Sequence, residues 1–166
     1  LAEAFAGLTS SFPDWTLEFW GADRSPYAIH MKKWIENHHL SDRIHINGKT
    51  DHVEDVYADA DIFCLPSRGE GFPLALSEAM SAGLPAVGFS DCTGVTDLIE
   101  DGRSGFLVSR SVNELTEALK ELMGHPAMRQ NMGEEGRQFM KQFAPERIWN
   151  QWERILKDTV SKMKYE

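Results

Sequence analysis

Five short apolar runs alternate with helix-forming segments along the 166-residue chain, and this alternation constrains the fold more than any other feature. The runs are Thr16–Gly21, Arg43–Gly48, Asp61–Ser67, Pro85–Phe89 and Gly105–Val108. Each is too short for a buried helix, and most are rich in branched and aromatic side chains that suit a pleated sheet. Helical stretches at 27–37, 53–58 and 74–82, and a short one within 91–99, separate them. A strand that reaches its neighbour through a helical crossover runs parallel to it, so the chain is expected to be an α/β protein with a mostly parallel sheet and flanking helices. After the last strand, Ser111-x-x-Glu114 reads as a capping box opening a helix with Val112, Leu115, Ala118, Leu119 and Leu122 on one face. Pro126 opens a second helix through Met132 to Phe143, its methionines at core spacing. Pro145 opens a third, whose stripe of Ile148, Trp149, Trp152, Ile155, Leu156, Val160 and Met163 is wide for a terminal helix. Part of that stripe is expected to be exposed.

Within this frame one unit carries chemistry: Glu70-Gly71-Phe72-Pro73-Leu74-Ala75-Leu76-Ser77-Glu78. It follows the third strand and reads as a polar loop entering a helix. Pro73 suits the first helical position, Leu74 to Ala82 are mostly good helix formers, and Gly83 ends the run. The unbonded N–H groups of the first turn and the positive end of the helix dipole favour an anion there. Gly71 lets backbone approach a ligand. Glu78 lies in the second turn, about 7.5 Å along the axis from Pro73 at ~1.5 Å per residue. Glu70 and Glu78 can therefore flank one elongated ligand, each accepting hydrogen bonds from vicinal hydroxyls. A diphosphate between two polyols, as in a nucleotide-sugar, meets all of these features. The competing reading is structural, since glutamates at this spacing also serve as solvated or dipole-pairing surface.

Charge and cysteines narrow the classes. A formal net charge of −9 argues against a nucleic-acid surface and against docking on anionic lipid. The two cysteines, Cys64 and Cys92, form no disulfide framework and no metal spacing, which suits a reducing cytoplasm, and Cys64 reads as a small core residue. His38-His39 closes a helix and lacks a third ligand at metal spacing. Asp59-Ala60-Asp61 reads as the cap of the third strand rather than a metal motif. No apolar run is long enough to span a membrane.

The longer frame is Leu65-Pro66-Ser67, Glu70-Gly71-Phe72, Ser77-Glu78-Ala79-Met80 and Gly83-Leu84-Pro85. It resembles the donor-site signature of group 1 (family 4) retaining glycosyltransferases of the GT-B fold, usually Glu-Gly-Phe-Gly-Leu followed by Glu-Ala-Met-Ala. The likeness runs from about Pro13 to Val108. It implies a Rossmann-like C-terminal half of a two-domain enzyme, with residues 1–144 binding the nucleotide-sugar. Residues 145–166 would form a helix packed toward an N-terminal domain. It further implies that Glu70 contacts the transferred sugar as the catalytic-site carboxylate and that Glu78 holds the ribose hydroxyls. Backbone at Gly71, Phe72, Leu74 and Ala75 would reach sugar and phosphates, and Gly48, Lys49 and Thr50 the base. No metal or other cofactor is implied beyond the donor.

Two departures stand out: Pro73 has no amide where the family often has Gly, and Thr93-Gly94 with Asp97 replaces the usual Gly-Gly-x-Pro-Glu. The family's first strand, and the Arg and Lys after it that grip the diphosphate, have no counterpart. With Leu1 at the start, the chain is expected to be a fragment, inactive alone. The acceptor, a sugar or lipid-linked sugar in polysaccharide synthesis, would belong to an N-terminal domain. The enzyme would belong to the cytoplasm, with that domain able to reach the inner face of the membrane. The alternatives are a non-catalytic nucleotide-sugar-binding or assembly module and a GT-B nucleotide-sugar epimerase.

Overall fold

A computed structural model describes residues 1–163, with side chains to residue 161. In chain order the elements are α1 (Ala2–Ala6), β1 (Leu17–Phe19), α2 (Pro26–Asn37), β2 (Ile44–Ile46), α3 (Val53–Asp59), β3 (Phe63–Leu65) and α4 (Leu74–Ser81). Then come β4 (Ala86–Phe89), α5 (Thr93–Thr96), β5 (Gly105–Val108), α6 (Val112–Gly124), α7 (Pro126–Met140), a 3-10 turn (Lys141–Phe143) and α8 (Pro145–Met163). Every strand pairing is parallel, as the helical crossovers require. β1, β2 and β3 are shorter than their apolar runs because only the central residues of each find ladder partners.

The strands do not form one continuous sheet. β1 pairs with β2, β3 pairs with β4 and β4 with β5, so the sheet divides into two strands and three. All of Thr16–Gly21 and all of Ile62–Ser67 line a cleft of about 1540 Å³, while no residue of β2, β4 or β5 does. β1 and β3 thus present their unpaired edges to the same space.

Alternation along β3, β4 and β5 assigns side chains to two faces. Ile62, Cys64, Val87, Phe106 and Val108 pack with α1 and α6 residues Phe5, Leu115, Leu119 and Leu122. Phe63, Leu65, Ala86 and Leu107 face the other way, toward Leu76 and Met80 of α4, Val95 of α5 and Met140 of α7. A parallel sheet covered on both faces is the outcome expected of crossover connections. Cys64 packs against this core and also lines the cleft; burial pushes its thiol up to about 12, so it stays protonated.

Helix ends follow local chemistry, with two adjustments. Ser25 Oγ accepts from Ala28 N–H (3.1 Å) to start α2. Pro73 is the N-cap of α4 and not its first helical residue, because its ψ of 100° is extended. At the other end Gly83 has φ 91°, and Leu84 N–H and Gly83 N–H return to Ala79 O (3.1 Å) and Met80 O (3.0 Å), closing a Schellman motif. The capping box at α6 is one-sided. Glu114 N–H points to Ser111 Oγ (3.5 Å), but the Glu114 carboxylate accepts from Ser109 N–H (2.8 Å), since Ser111 N–H is already bonded to Ser109 O (2.7 Å). At α8 the apolar stripe stands open, with Trp149 72% and Leu156 59% exposed; the side chain of Met163 lies outside the described residues.

α4 is seated on α7 through a close backbone approach. A β-carbon on Gly133 would collide with the Gly83 carbonyl group, standing 2.8 Å from its carbon. Gly133→Ala is therefore expected to destabilise the fold by about 1–3 kcal/mol, the range for overpacking a site whose neighbour is backbone. Urea denaturation of the two proteins measures it.

Candidate functional site

Residues that follow three strands reach one cleft: Trp20-Gly21 after β1, Lys49-Thr50 after β2 and Pro66-Ser67 after β3. α3 adds Val53, Val56 and Tyr57, and α4 adds Ala75 and Glu78. Ligands of open α/β sheets bind just beyond the carboxyl ends of the strands; these post-strand residues form that end of a cleft which also runs back along the open edges of β1 and β3.

The first turn of α4 reaches this cleft through Ala75. Ser77 N–H is the first amide bonded back along the helix, to Pro73 O (3.0 Å), so the amides of Leu74, Ala75 and Leu76 project from the helix end. Beside it, the Glu70 carboxylate accepts a hydrogen bond from Ser67 Oγ (2.6 Å). A β-carbon on Gly71 would meet no protein atom within 4 Å, so the space over this residue is open.

The loop from Arg68 to Gly71 is held from behind. Arg110 donates to Arg68 O (2.9 Å) and to Asp91 Oδ1 (2.9 Å) while its guanidinium lies over the Phe89 ring at 6.0 Å. α5 presses on the same loop: a β-carbon on Gly94 would overlap Gly71 O and come within 2.7 Å of Glu70 O. Phe72 is about half-exposed and lies edge-on to Phe143, with centroids 5.2 Å apart.

Glu78 has a different support. Tyr57 Oη lies 3.1 Å from Glu78 Oε2 and 3.3 Å from Ala75 O. Burial, and then the hydrogen bond to Glu78, push the Tyr57 phenol up to about 12, so it remains a proton donor at any working pH.

The structure gathers only part of the expected set. Lys49, Ala75 and Glu78 line the cleft. Gly48 stands behind it, its carbonyl accepting from Gly21 N–H (3.2 Å). Glu70, Gly71, Phe72 and Leu74 are not lining residues of the cleft; they sit at and before the α4 N-terminus. Tyr57, Ser67, Gly94 and Arg110 shape the site as well, and for Tyr57 and Arg110 no signal in the sequence marks them for it. Tyr57 meets Glu78 across 21 positions and Arg110 meets Arg68 across 42, and no local pattern reports contacts that distant. Ser67 and Gly94 each leave a trace, the one as the end of the Leu65-Pro66-Ser67 motif and the other as the surviving glycine of the altered loop.

Among the described residues, no three His, Cys, Asp or Glu side chains converge on a metal-binding point, and no helix is long and apolar enough to cross a membrane. Asp61 instead engages Arg129 at 3.3 Å, and His38 Nδ1 lies 2.7 Å from Trp34 O.

Residues 1–139 match the glycosyl transferases group 1 family. The chain belongs to that family. Among curated relatives, an exopolysaccharide phosphotransferase of Streptomyces coelicolor is 35% identical over 162 residues, covering 96% of this chain and 17% of that protein. An uncharacterized glycosyltransferase of Haemophilus influenzae is 30% identical over 157 residues, covering 94% of this chain and 44% of its own length. Among solved structures, the pneumococcal O-GlcNAc transferase GtfA in complex with UDP and GlcNAc superposes with a TM-score of 0.76 at 23% identity. That match covers 96% of this chain and 32% of the other, and shows a shared GT-B fold. The group 1 chain thus spans less than half the length of the relatives it matches.

The close approach at Gly94 yields a prediction for this group 1 glycosyltransferase chain. Gly94→Ala forces the Glu70-Gly71 backbone away from α5 and is expected to cost about 1–3 kcal/mol. Gly69→Ala, with no atom near its β-carbon position, serves as the control and leaves the unfolding midpoint nearly unchanged.

Proposed function

We propose that this chain is the donor-binding half of a retaining glycosyltransferase that takes a hexose from a nucleoside diphosphate sugar. The observation that carries the reading is the pairing of an anion-binding helix N-terminus at α4 with Glu78, one turn further along the same helix, facing the cleft beyond the strands. The diphosphate would lie against the α4 amides, whose dipoles stabilise the charge it gains as it leaves. Glu78 would accept hydrogen bonds from the ribose hydroxyls. Glu70, oriented by Ser67, would accept from hydroxyls of the transferred sugar, and the open space over Gly71 lets that sugar approach the backbone. Lys49 and the backbone at Gly48 would face the base. An acceptor hydroxyl then replaces the diphosphate at the anomeric carbon, with retained configuration.

The pneumococcal GtfA of the same fold is in complex with UDP and GlcNAc, which supports a nucleotide and an amino-hexose as candidates for the donor. Residues 1–144 are read as the Rossmann-like binding unit. The exposed stripe of α8 is read as packing toward the part of the enzyme that holds a sugar or lipid-linked acceptor.

Calorimetry with UDP, GDP and ADP on the intact protein tests the reading. One nucleotide is expected to bind, and Glu78→Ala to weaken it by about 1–3 kcal/mol, roughly five- to a hundredfold in Kd, on the scale of hydrogen bonds to a charged group. No binding by any of the three would remove the nucleotide-sugar reading. Binding without turnover on any acceptor would favour a non-catalytic module.

A further inference from the structure

We propose that Tyr57 is the positioning residue for Glu78 and that its hydroxyl sets the affinity for the ribose end of the donor. This inference rests on the reading of Glu78 as the ribose-binding carboxylate. Glu78 is exposed on the cleft wall, and a free glutamate in that position would sample several rotamers. Tyr57 removes that freedom from one side. Its side chain belongs to a small cluster with Ala79 and Leu84 of the α4 region, it is 9% exposed, and its ring meets Phe63 edge-on at 6.1 Å and 72°. A ring so enclosed cannot follow a moving carboxylate, so the carboxylate must come to it.

The hydroxyl carries one proton and has two acceptors in reach, Glu78 Oε2 at 3.1 Å and Ala75 O at 3.3 Å. Both acceptors sit on one face of α4, three residues apart, and both residues line the cleft. Donation to Oε2 restrains one carboxylate oxygen. A carboxylate restrained in this way loses less rotamer freedom when it accepts hydrogen bonds from two vicinal hydroxyls. Tyr57 therefore acts through Glu78 and touches no substrate itself. α3 enters directly after the Lys49–His52 segment, so the same contact also ties the base-side wall of the cleft to α4.

The test uses the intact protein and whichever of UDP, GDP or ADP binds, together with the 2′,3′-dideoxyribose form of that nucleotide. Tyr57→Phe keeps the ring and removes only the hydroxyl. It is expected to raise Kd for the ribonucleotide about three- to tenfold, the span of one hydrogen bond, and to leave the dideoxy form within about twofold. In a Glu78→Ala background the same change is expected to have no further effect. An equal loss for both nucleotides would make Tyr57 a structural residue and overturn the proposal. Ribose-dependent binding that survives Tyr57→Phe undiminished would overturn it as well, leaving the role of Glu78 intact. Wild-type binding indifferent to the ribose hydroxyls would overturn the reading of Glu78 and this inference with it. Should Tyr57→Phe fail to fold, the 13Cζ resonance of Tyr57 replaces it: Glu78→Gln is expected to shift that resonance at neutral pH, and an unchanged resonance would contradict the contact.

Discussion

The site depends on how firmly α4 is held. Its C-terminal end is locked in place because the Gly83 carbonyl lies against Gly133 of α7, where no side chain fits between them. Leu76 and Met80 are fully buried on the sheet side, and Ala79 and Leu84 close the cluster around Tyr57. A helix fixed along its length presents its N-terminal amides at a constant place. That constancy is what makes oriented dipoles effective toward a charged ligand, since none of them must reorganise when the ligand arrives. The loop before α4 is pinned independently, by Arg110 from one side and Gly94 from the other. Two separate supports thus meet at the point where Glu70 and the helix amides come together.

Electrostatics sets a second condition. The chain carries a formal charge of −9, and its cleft is lined by Glu3, Glu18, Asp55, Asp59, Asp61 and Glu78 against the lysine Lys49. Such a wall repels a diphosphate and accepts hydroxyl groups. On the proposed donor reading, a diphosphate would favour the α4 N-terminus, and the carboxylates would be left to the polyol portions of the ligand.

Much of this was legible in the sequence because it is written locally. The alternation of five apolar runs with helices, the stop at Gly83 and the loop-to-helix turn at Glu70–Leu74 each involve residues within one or two turns of one another. Where local rules erred, backbone conformation or a competing bond decided. Pro73 became a cap because its ψ is extended, and Glu114 reached Ser109 because Ser111 N–H was already occupied. The division of the sheet was not legible, since pairing is a contact between distant segments and each run looks the same whether it has one neighbour or two. For the same reason Glu78 could be singled out while Tyr57, which holds it, could not. The family likeness extended the reading from a helix N-terminus to a donor site, because it joined four short motifs whose spacing local physics leaves free.

The central claim is that α4 binds a nucleoside diphosphate with the ribose at Glu78. A crystal structure of the intact protein with its bound nucleoside diphosphate tests it most directly. The account predicts phosphate oxygens within hydrogen-bond distance of the amides of Leu74 to Leu76, and both ribose hydroxyls on the Glu78 carboxylate. A nucleotide bound with its ribose away from Glu78, or with its phosphates far from the start of α4, would contradict it.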